Sequence, residues 1–499
     1  MILSLMALSF SLAASEPAAG PEMPKKPNIV FILADDLGYG ELGCFGQKKI
    51  RTPNIDQLAS EGMRLTNARS GAPVCAPARC VLMTGKHLGQ AYVRGNMDQG
   101  NESQLPIPDE EITIPEILAP AGYTSACIGK WGLGGFQNSG NPNKQGFDHF
   151  FGYVCQRQAH SYYPDHLWSD GQRIELKNQP AIPGHGQVKD ANGDFSKFQG
   201  IDHSSERMLT DAEGWLAKRG EDKKPFFLYL AFTEPHVSLQ PPQRLVDSYP
   251  KEWDDKPFLG GKGGYVPHQR PHAAYAAMIT YLDEHVGRIR AALKKQGLDD
   301  NTLIIFTSDN GATHDVGGAD TLFFNSVGQL KARKGSVYDG GLRIPMIAAW
   351  PGKIKAGTAS NACVSFHDVM STVAEIGGVQ PAKVTTGHSI VPVLTGHEKD
   401  YQPATCLWDF PEYGGQQAVL LDGRHMVLRR DLQKKLSPWE VYDILSDLGQ
   451  EHDLAATEAG KALIARADDA FKTQRSVNPN FTIKSIDGEA KAKKTKKQP

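Results

Sequence analysis

Residues 273–311 read AAYAAMITYLDEHVGRIRAALKKQGLDDNTLIIFTSDNG. Ile279, Leu282, Val286, Ile289 and Leu293 recur at spacings of three, four, three and four. That pattern paints one apolar face and predicts a helix from about 273 to 296, with Gly297 a natural stop just past its end. Thr302–Thr307 (TLIIFT) predicts a buried strand that runs straight into Ser308-Asp309-Asn310-Gly311. A helix followed by an apolar strand with a polar cluster at its carboxyl end is the repeating unit of an open α/β sheet.

The same unit is legible on either side. Asn28–Ala34 (NIVFILA) is an apolar run bounded by Pro27 and the acidic pair Asp35-Asp36. Thr124–Ile128, Phe226–Phe232 and Pro345–Trp350 read as further strands, and 53–63 and 113–121 as short helices. The expected fold is α/β: a large mixed, mostly parallel sheet sandwiched by helices. After about residue 395 the texture changes. Gln416–Leu421 and Met426–Arg430 flank the hairpin signal Asp422-Gly423, 437–444 supplies another strand, and 458–474 reads as a helix. This predicts a smaller C-terminal antiparallel sheet plus helix, and domains at 25–395 and 396–482. There is no internal repeat.

Composition narrows the function classes. The 499 residues include 51 Gly and 32 Pro, above the usual shares of about 7% and 5%, which fits a loop-rich enzyme better than a helical bundle. With 54 basic and 56 acidic residues the net charge is −2, so no global field steers the chain to nucleic acid. No apolar run approaches the ~20 residues of a membrane span. Residues 2–14 are short and apolar, and Leu12-Ala13-Ala14 offers small residues for cleavage. Residues 1–15 therefore read as a signal peptide, although no Lys or Arg precedes the apolar run, and the protein as exported, periplasmic or secreted. The Lys-rich end, 483–499, reads as a disordered tail. Seven cysteines, at 44, 75, 80, 127, 155, 363 and 406, include no C-x-x-C pair, so neither a disulfide scaffold nor a zinc site is indicated. The odd count leaves one cysteine needing a reason.

Cys75-Ala76-Pro77-Ala78-Arg79, continued by Cys80–Met83 and Thr84-Gly85, supplies that reason. A cysteine at a helix start is expected to have a lowered thiol pKa, and Arg79, one turn on, is expected to return its fork to the same spot. C-x-P-x-R followed by T-G resembles the signature of the type I formylglycine-dependent sulfatases, members of the alkaline-phosphatase-like superfamily, in which the cysteine is oxidised to formylglycine. The remaining segments stand in the family's order. They are Asp35-Asp36 after the first strand, Gly129-Lys130-Trp131-Gly132-Leu133-Gly134, Pro235-His236, Ser308–Gly311, Lys334-Gly335 and Gly340-Gly341-Leu342-Arg343-Ile344-Pro345. With the W-E-V-Y-D-I element the resemblance covers about residues 25–480.

The resemblance implies a sulfatase acting on a sulfated carbohydrate, with one Ca²⁺ per chain held by Asp35, Asp36, residue 75, Asp309 and Asn310. Oxygen ligands in irregular loops suit that hard cation. It implies catalytic roles for Cys75 as formylglycine, Asp309 as proton acceptor, and Arg79, Lys130 and Lys334 as stabilisers of the nucleophile or the sulfuryl oxygens. His236 is expected to contact the sulfate or protonate the leaving alcohol, and a formylglycine-generating or anaerobic sulfatase-maturing enzyme is implied as a partner. One position departs from the pattern: the family's G-K-W-H-L-G carries a histidine where this chain has Gly132, and His87 and His314 are the candidate substitutes. Phe147–Trp168, rich in aromatics and amides, is expected to be the loop that reads the sugar, through Gln156, Arg157 and His160 together with His236 and Lys334. His367-Asp368 and His452-Asp453 read as packing or surface pairs. The variant motif and the 156–164 loop resemble bacterial polysaccharide sulfatases, which implies exo action on galactose or N-acetylgalactosamine sulfate. A phosphomonoester or phosphodiester hydrolase of the same superfamily, or a non-catalytic sulfated-glycan binder, are the alternatives.

Overall fold

The computed structural model describes residues 26–488 except 101, 186–187, 189–192, 223 and 262–263; the expected signal peptide over 1–15 and residues 489–499 of the expected tail lie outside it. Ile483–Asp487, placed in the tail by composition, are packed: Ile483 is fully buried and Asp487 pairs with Arg475 at 2.7 Å.

Ten strands form one sheet. Its centre is five parallel strands in the order Thr302–Ser308, Asn28–Asp35, Phe226–Pro235, Thr124–Lys130 and His149–Tyr153. Met346–Ala349 adds antiparallel to Thr302–Ser308 at one side, and His166–Ser169 adds antiparallel to His149–Tyr153 at the other. All eight residues of Asn28–Asp35 are buried, as a strand covered on both faces must be. Its alternate side chains feed two different cores. Ile29, Phe31 and Leu33 join one that holds the helices Cys75–Thr84 and His367–Gly377. Val30, Ile32 and Ala34 join the other, filled from the far face by the helix Pro271–Lys295. The predicted helix and strand at 273–307 are both present.

The C-terminal sheet is a four-stranded antiparallel meander, Cys406–Phe410, Gln416–Leu421, His425–Arg429 and Glu440–Asp443. Trp408, Phe410, Ala418 and Leu420 enter the first core of the large sheet. Leu407, Val419 and Val441 face the helix Glu458–Gln474. The small sheet is thus wedged between its own helix and the large body.

The 147–168 segment is only partly a loop. His149–Tyr153 and His166–Ser169 are strands of the main sheet, and Phe150, Phe151, Tyr153 and Tyr162 are core residues. Apolar alternation in this stretch was masked by its aromatics. The helix Ser204–Asp222 was not anticipated either, although Met208, Leu209, Ala212, Trp215 and Leu216 carry a readable helical period and are buried.

Candidate active site

The acidic groups, Lys130 and His236 sit at or just beyond the carboxyl ends of parallel strands and Cys75 at the amino end of a helix, while Lys334 comes from the loop between Thr302–Ser308 and Asp339–Leu342. Asp35 ends the first strand and Asp36 follows it in a left-handed conformation, φ 68°, which aspartate tolerates better than most side chains. Two bonds hold the turn: Asp36 N–H donates to Asp309 Oδ1 at 3.1 Å and Leu37 N–H to Ser308 Oγ at 2.9 Å. Lys130 ends the strand that sequence reading stopped at Ile128. Cys75 is the first residue of a fully buried helix, after an extended Val74. Gly85 closes that helix at φ 66°, where its N–H reaches Val81 O, which is the structural use of the T-G pair.

Side chains from all these ends converge. Ligand atoms of Asp35, Asp36, Cys75 and Asp309 lie within 4.8 Å of one another. Cys75 Sγ is 3.3 Å from Asp35 Oδ1 and 3.7 Å from Lys334 Nζ. Lys334 Nζ donates to Asp36 Oδ2 at 2.7 Å and Lys130 Nζ to Asp35 Oδ2 at 2.5 Å. Arg79 is wholly buried; its Nε and Nη2 meet Asp309 Oδ2 at 3.2 and 2.8 Å and its Nη1 meets Lys130 O at 2.5 Å. His236 Nδ1 faces the Val237 carbonyl at 2.5 Å and so carries the ring proton, which leaves Nε2 turned to Asp36 Oδ2 at 3.6 Å.

The donor set fits a hard cation. Three carboxylates converge, and Asn310, whose amide nitrogen donates to Asp36 Oδ1 at 2.8 Å, keeps its Oδ1 buried without a partner. A buried carbonyl oxygen left without a donor is costly, and an ion among oxygen ligands satisfies it.

Burial tends to raise all three carboxyls, and their neighbours decide the outcome. Lys130, His236, Arg79 and Lys334 overcome burial at Asp35 and hold it well below the usual carboxylate range; Lys334 and His236 do the same for Asp36. Burial and the Asp35 charge win at Asp309, which is pushed up to about 7 against Arg79. Burial lowers His236 to about 4 despite Asp36, so this imidazole is neutral near pH 7. The expectation of an acidified Cys75 thiol is overturned: burial and then Asp35 push it up, and Lys130 and Lys334 do not compensate. The helix N-terminus is there, but the thiol is enclosed beside a carboxylate instead of facing water. Arg79 likewise returns its fork to Asp309 instead of to Cys75.

Of the expected sugar-reading residues, His160 is brought to the site: its ring stacks on His236 at 4.4 Å and 16°. Gln156 also arrives, packed against Gly132, with Nε2 donating to Asn96 Oδ1 at 3.0 Å, an oxygen that also receives the Ala76 N–H at 3.2 Å. Arg157 does not join them; it is exposed and lines a neighbouring cavity of about 430 Å³ with Asp98, Glu102 and His185. His87 fails as the substitute for the missing histidine. It lies past the far end of the ten-residue helix that Cys75 begins, about 15 Å away at 1.5 Å per residue, with both ring nitrogens buried and unpartnered. His314 is at the rim, stacked on Tyr413 with Nε2 3.2 Å from its hydroxyl, and has no bond to Cys75 among the described residues. His367-Asp368 is a buried packing pair, Asp368 capping the Ser365 and His388 amides at 2.8 Å, and His452 is exposed. Sequence reading missed Asn96 and Glu412, whose Oε1 accepts the Asn96 N–H at 3.0 Å; both are polar loop residues with no distinguishing spacing.

A family model described as Sulfatase matches residues 27–379, and one described as N-sulphoglucosamine sulphohydrolase, C-terminal, matches residues 332–476. The N-acetylgalactosamine-6-sulfatase of Canis lupus familiaris is 30% identical over 414 residues, which cover 78% of this chain and 70% of its own. Arylsulfatase A of Homo sapiens is 31% identical over 422 residues, covering 79% and 73%. Among solved structures, Ps i-CgsB in complex with k-i-k-neocarrahexaose superposes with a TM-score of 0.74 at 27% identity, covering 90% of this chain and 94% of that one.

Proposed function

Because the chain belongs to the sulfatase family, and so hydrolyses sulfuric esters, we propose that it is an exo-acting carbohydrate sulfatase. Its substrates are galactose or N-acetylgalactosamine sulfate units of a sulfated polysaccharide or glycosaminoglycan. Two of the relatives support this choice by name, one an N-acetylgalactosamine-6-sulfatase and one solved in complex with k-i-k-neocarrahexaose. The observation that carries the catalytic reading is Cys75 set within 4.8 Å of three carboxylates, with the Lys334 ammonium 3.7 Å from its Sγ and the Lys130 ammonium bound to the neighbouring Asp35.

A formylglycine at position 75, hydrated, would supply a hydroxyl nucleophile where a thiol now stands. Ca²⁺ held by Asp35, Asp36, Asp309, Asn310 and residue 75 would supply Lewis acidity beside that hydroxyl. The chain's own residues do the rest. Asp309 accepts the proton that the nucleophile gives up. Arg79 fixes that carboxylate through two bonds and acts as a positioning residue. Lys130 and Lys334 place positive charge where sulfuryl oxygens gather. His236 presents Nε2 to the same space; the negative charge of a bound sulfate opposes the burial that keeps this ring neutral, and a proton taken up at Nε2 with the substrate is donated to the departing alcohol. His160 lies flat on the other face of His236 and, with Gln156, reads the sugar. Arg157, at the rim of the adjoining cavity, reads the next part of it.

The same proposal includes export through residues 1–15 and maturation of Cys75 by a formylglycine-generating or anaerobic sulfatase-maturing enzyme. Sulfate release from a panel of sulfated mono- and disaccharides tests the substrate. Turnover restricted to galacto-configured sulfates supports it, and preference for glucosamine sulfates overturns it.

A further inference from the structure

Gly340–Pro345 contributes no group to the catalytic cluster, yet Arg343 within it is 3% exposed and lines a cavity of about 460 Å³ elsewhere on the molecule. The chain reaches this cavity from the acidic pair through Leu37 and Gly38, and no residue of the catalytic cluster lines it. We propose that this cavity is a second carbohydrate site, one that holds an anionic sugar unit of the polymer away from the bond being cleaved.

Charge is the first argument. Among the described residues Lys48, Lys49 and Arg343 line the cavity and no acidic one does, in a chain whose overall charge is −2. Behind the wall, Arg69 and Arg343 share one carboxylate. Asp339 pairs with Arg69 at 2.8 Å and lies 3.9 Å from Arg343 Nη1, so two buried guanidiniums face one counter-charge. Arg343 Nη2 donates to Asn67 Oδ1, while its Nε is buried with no partner. Two buried guanidiniums behind one carboxylate leave an excess of positive charge under the wall, which favours an anion in the cavity. Lys49 spends one donor on Phe323 O at 2.6 Å and keeps two.

The second argument is the wall itself. Tyr39 and Phe45 meet edge to face at 5.1 Å, and Phe323 lies under Lys49 at 3.6 Å. All three rings are partly exposed at the cavity. Phe323 is covered by Lys49 and stacked by His272 at 4.3 Å, so the aromatic surface left to a ligand is that of Tyr39 and Phe45. Beside fixed donors that surface suits the apolar face and hydroxyls of a sugar ring better than a bare inorganic ion. A cavity of this size falls in the range that takes a small ligand, about 300–1,000 Å³.

Binding by calorimetry tests this without turnover. The full chain carrying Cys75→Ala, which has no heteroatom to oxidise, is titrated with a sulfated galactan tetrasaccharide, its desulfated form, a uronate-bearing tetrasaccharide and inorganic sulfate. Two binding events per chain are expected with the sulfated tetrasaccharide. Lys48→Gln with Lys49→Gln weakens one of them about tenfold or more, and His236→Ala abolishes the other. Arg343→Lys, its fold checked by thermal melt, weakens the first event while keeping the charge, because a lysine lacks the fork. The uronate probe binding at the Lys48/Lys49-dependent event identifies a carboxylate as the anion, and the sulfated probe alone identifies a sulfate; either supports the site. A single event removed by His236→Ala and untouched at Lys48 and Lys49 overturns the proposal, as does equal binding of the desulfated probe or of inorganic sulfate. Loss of the His236-dependent event alone would count against the substrate proposed for the catalytic site and leave this second site standing.

Discussion

Gln156 fills the space that a side chain at position 132 would need: a Cβ built on Gly132 would lie 2.8 Å from Gln156 Cγ and 3.1 Å from its Oε1. The two positions are mutually exclusive, which gives a physical account of the departure from G-K-W-H-L-G. Where the family places an imidazole, this chain places an amide that reaches the Ala76 backbone through Asn96. An amide cannot take a proton, so any base for the second half of the reaction comes from elsewhere in the site. Besides His236 itself, His160, stacked on it, is a histidine that the fold brings to the site.

Gly132→Ala is predicted to lose activity for two separable reasons. Position 132 has φ +81°, a region that costs an L side chain about 1–2 kcal/mol, and the new methyl pushes on Gln156. Adding Gln156→Ala to Gly132→Ala removes the second cost and leaves the first. Thermal melts and kcat of the two single variants and the double variant should therefore be non-additive, with the double variant more stable than the sum predicts.

Asp309→Asn keeps the size of the side chain and removes the acceptor. The expected loss in kcat is about 10²–10⁴-fold with KM changed much less, because the proposed role is proton transfer. Arg79→Ala should act differently. It strands the buried carboxylates of Asp309 and Asp35, and breaking such a pair costs about 3–5 kcal/mol, so the fall should show in the melting temperature as well as in turnover.

Removing divalent cations with a chelator should lower the melting temperature of the Cys75→Ala chain, in which no chemistry takes place. A ligand at 100 times its Kd stabilises by about 2.7 kcal/mol, and the carboxylates and the orphaned Asn310 carbonyl lose their counter-charge together. Calcium should restore the melt. Magnesium, which demands smaller and more regular octahedra, should restore it less fully in this irregular set of loops.

His149 gives a pH-dependent stability that is independent of catalysis. Its ring nitrogens lie 2.9 Å from Asp170 and 2.8 Å from Asp211. Burial works against its charge, but the two carboxylates prevail and raise it to about 9. A histidine raised in the folded state stabilises fully below its unfolded value, about 6.5, and that contribution disappears as pH rises through 9. The melting temperature of the native chain minus that of His149→Gln should be positive at pH 6 and shrink towards pH 10.

Much of this was legible in the sequence because burial and chemistry leave different marks. Four of the five central strands read clearly where they are apolar, as at Asn28–Ala34 and Phe226–Phe232. The ligand candidates read clearly because Asp35-Asp36 and Asp309-Asn310 break those runs at their carboxyl ends. His149–Tyr153 was obscured by a dense aromatic context, and Ser204–Asp222 by its polar outer face. The acidified thiol was misjudged because sequence reveals a helix start and not the carboxylate packed against it. The Gln156–Asn96–Ala76 chain depends on three loops meeting, and no local spacing announces that.

The central claim is that residue 75 works as formylglycine. The chain should be expressed with and without a maturing enzyme, the peptide containing residue 75 weighed, and sulfate release measured on the same samples. The account predicts that turnover scales with the fraction of that peptide carrying the mass of formylglycine and extrapolates to zero when the cysteine is intact. Full sulfate release from a preparation in which Cys75 keeps its thiol would contradict it.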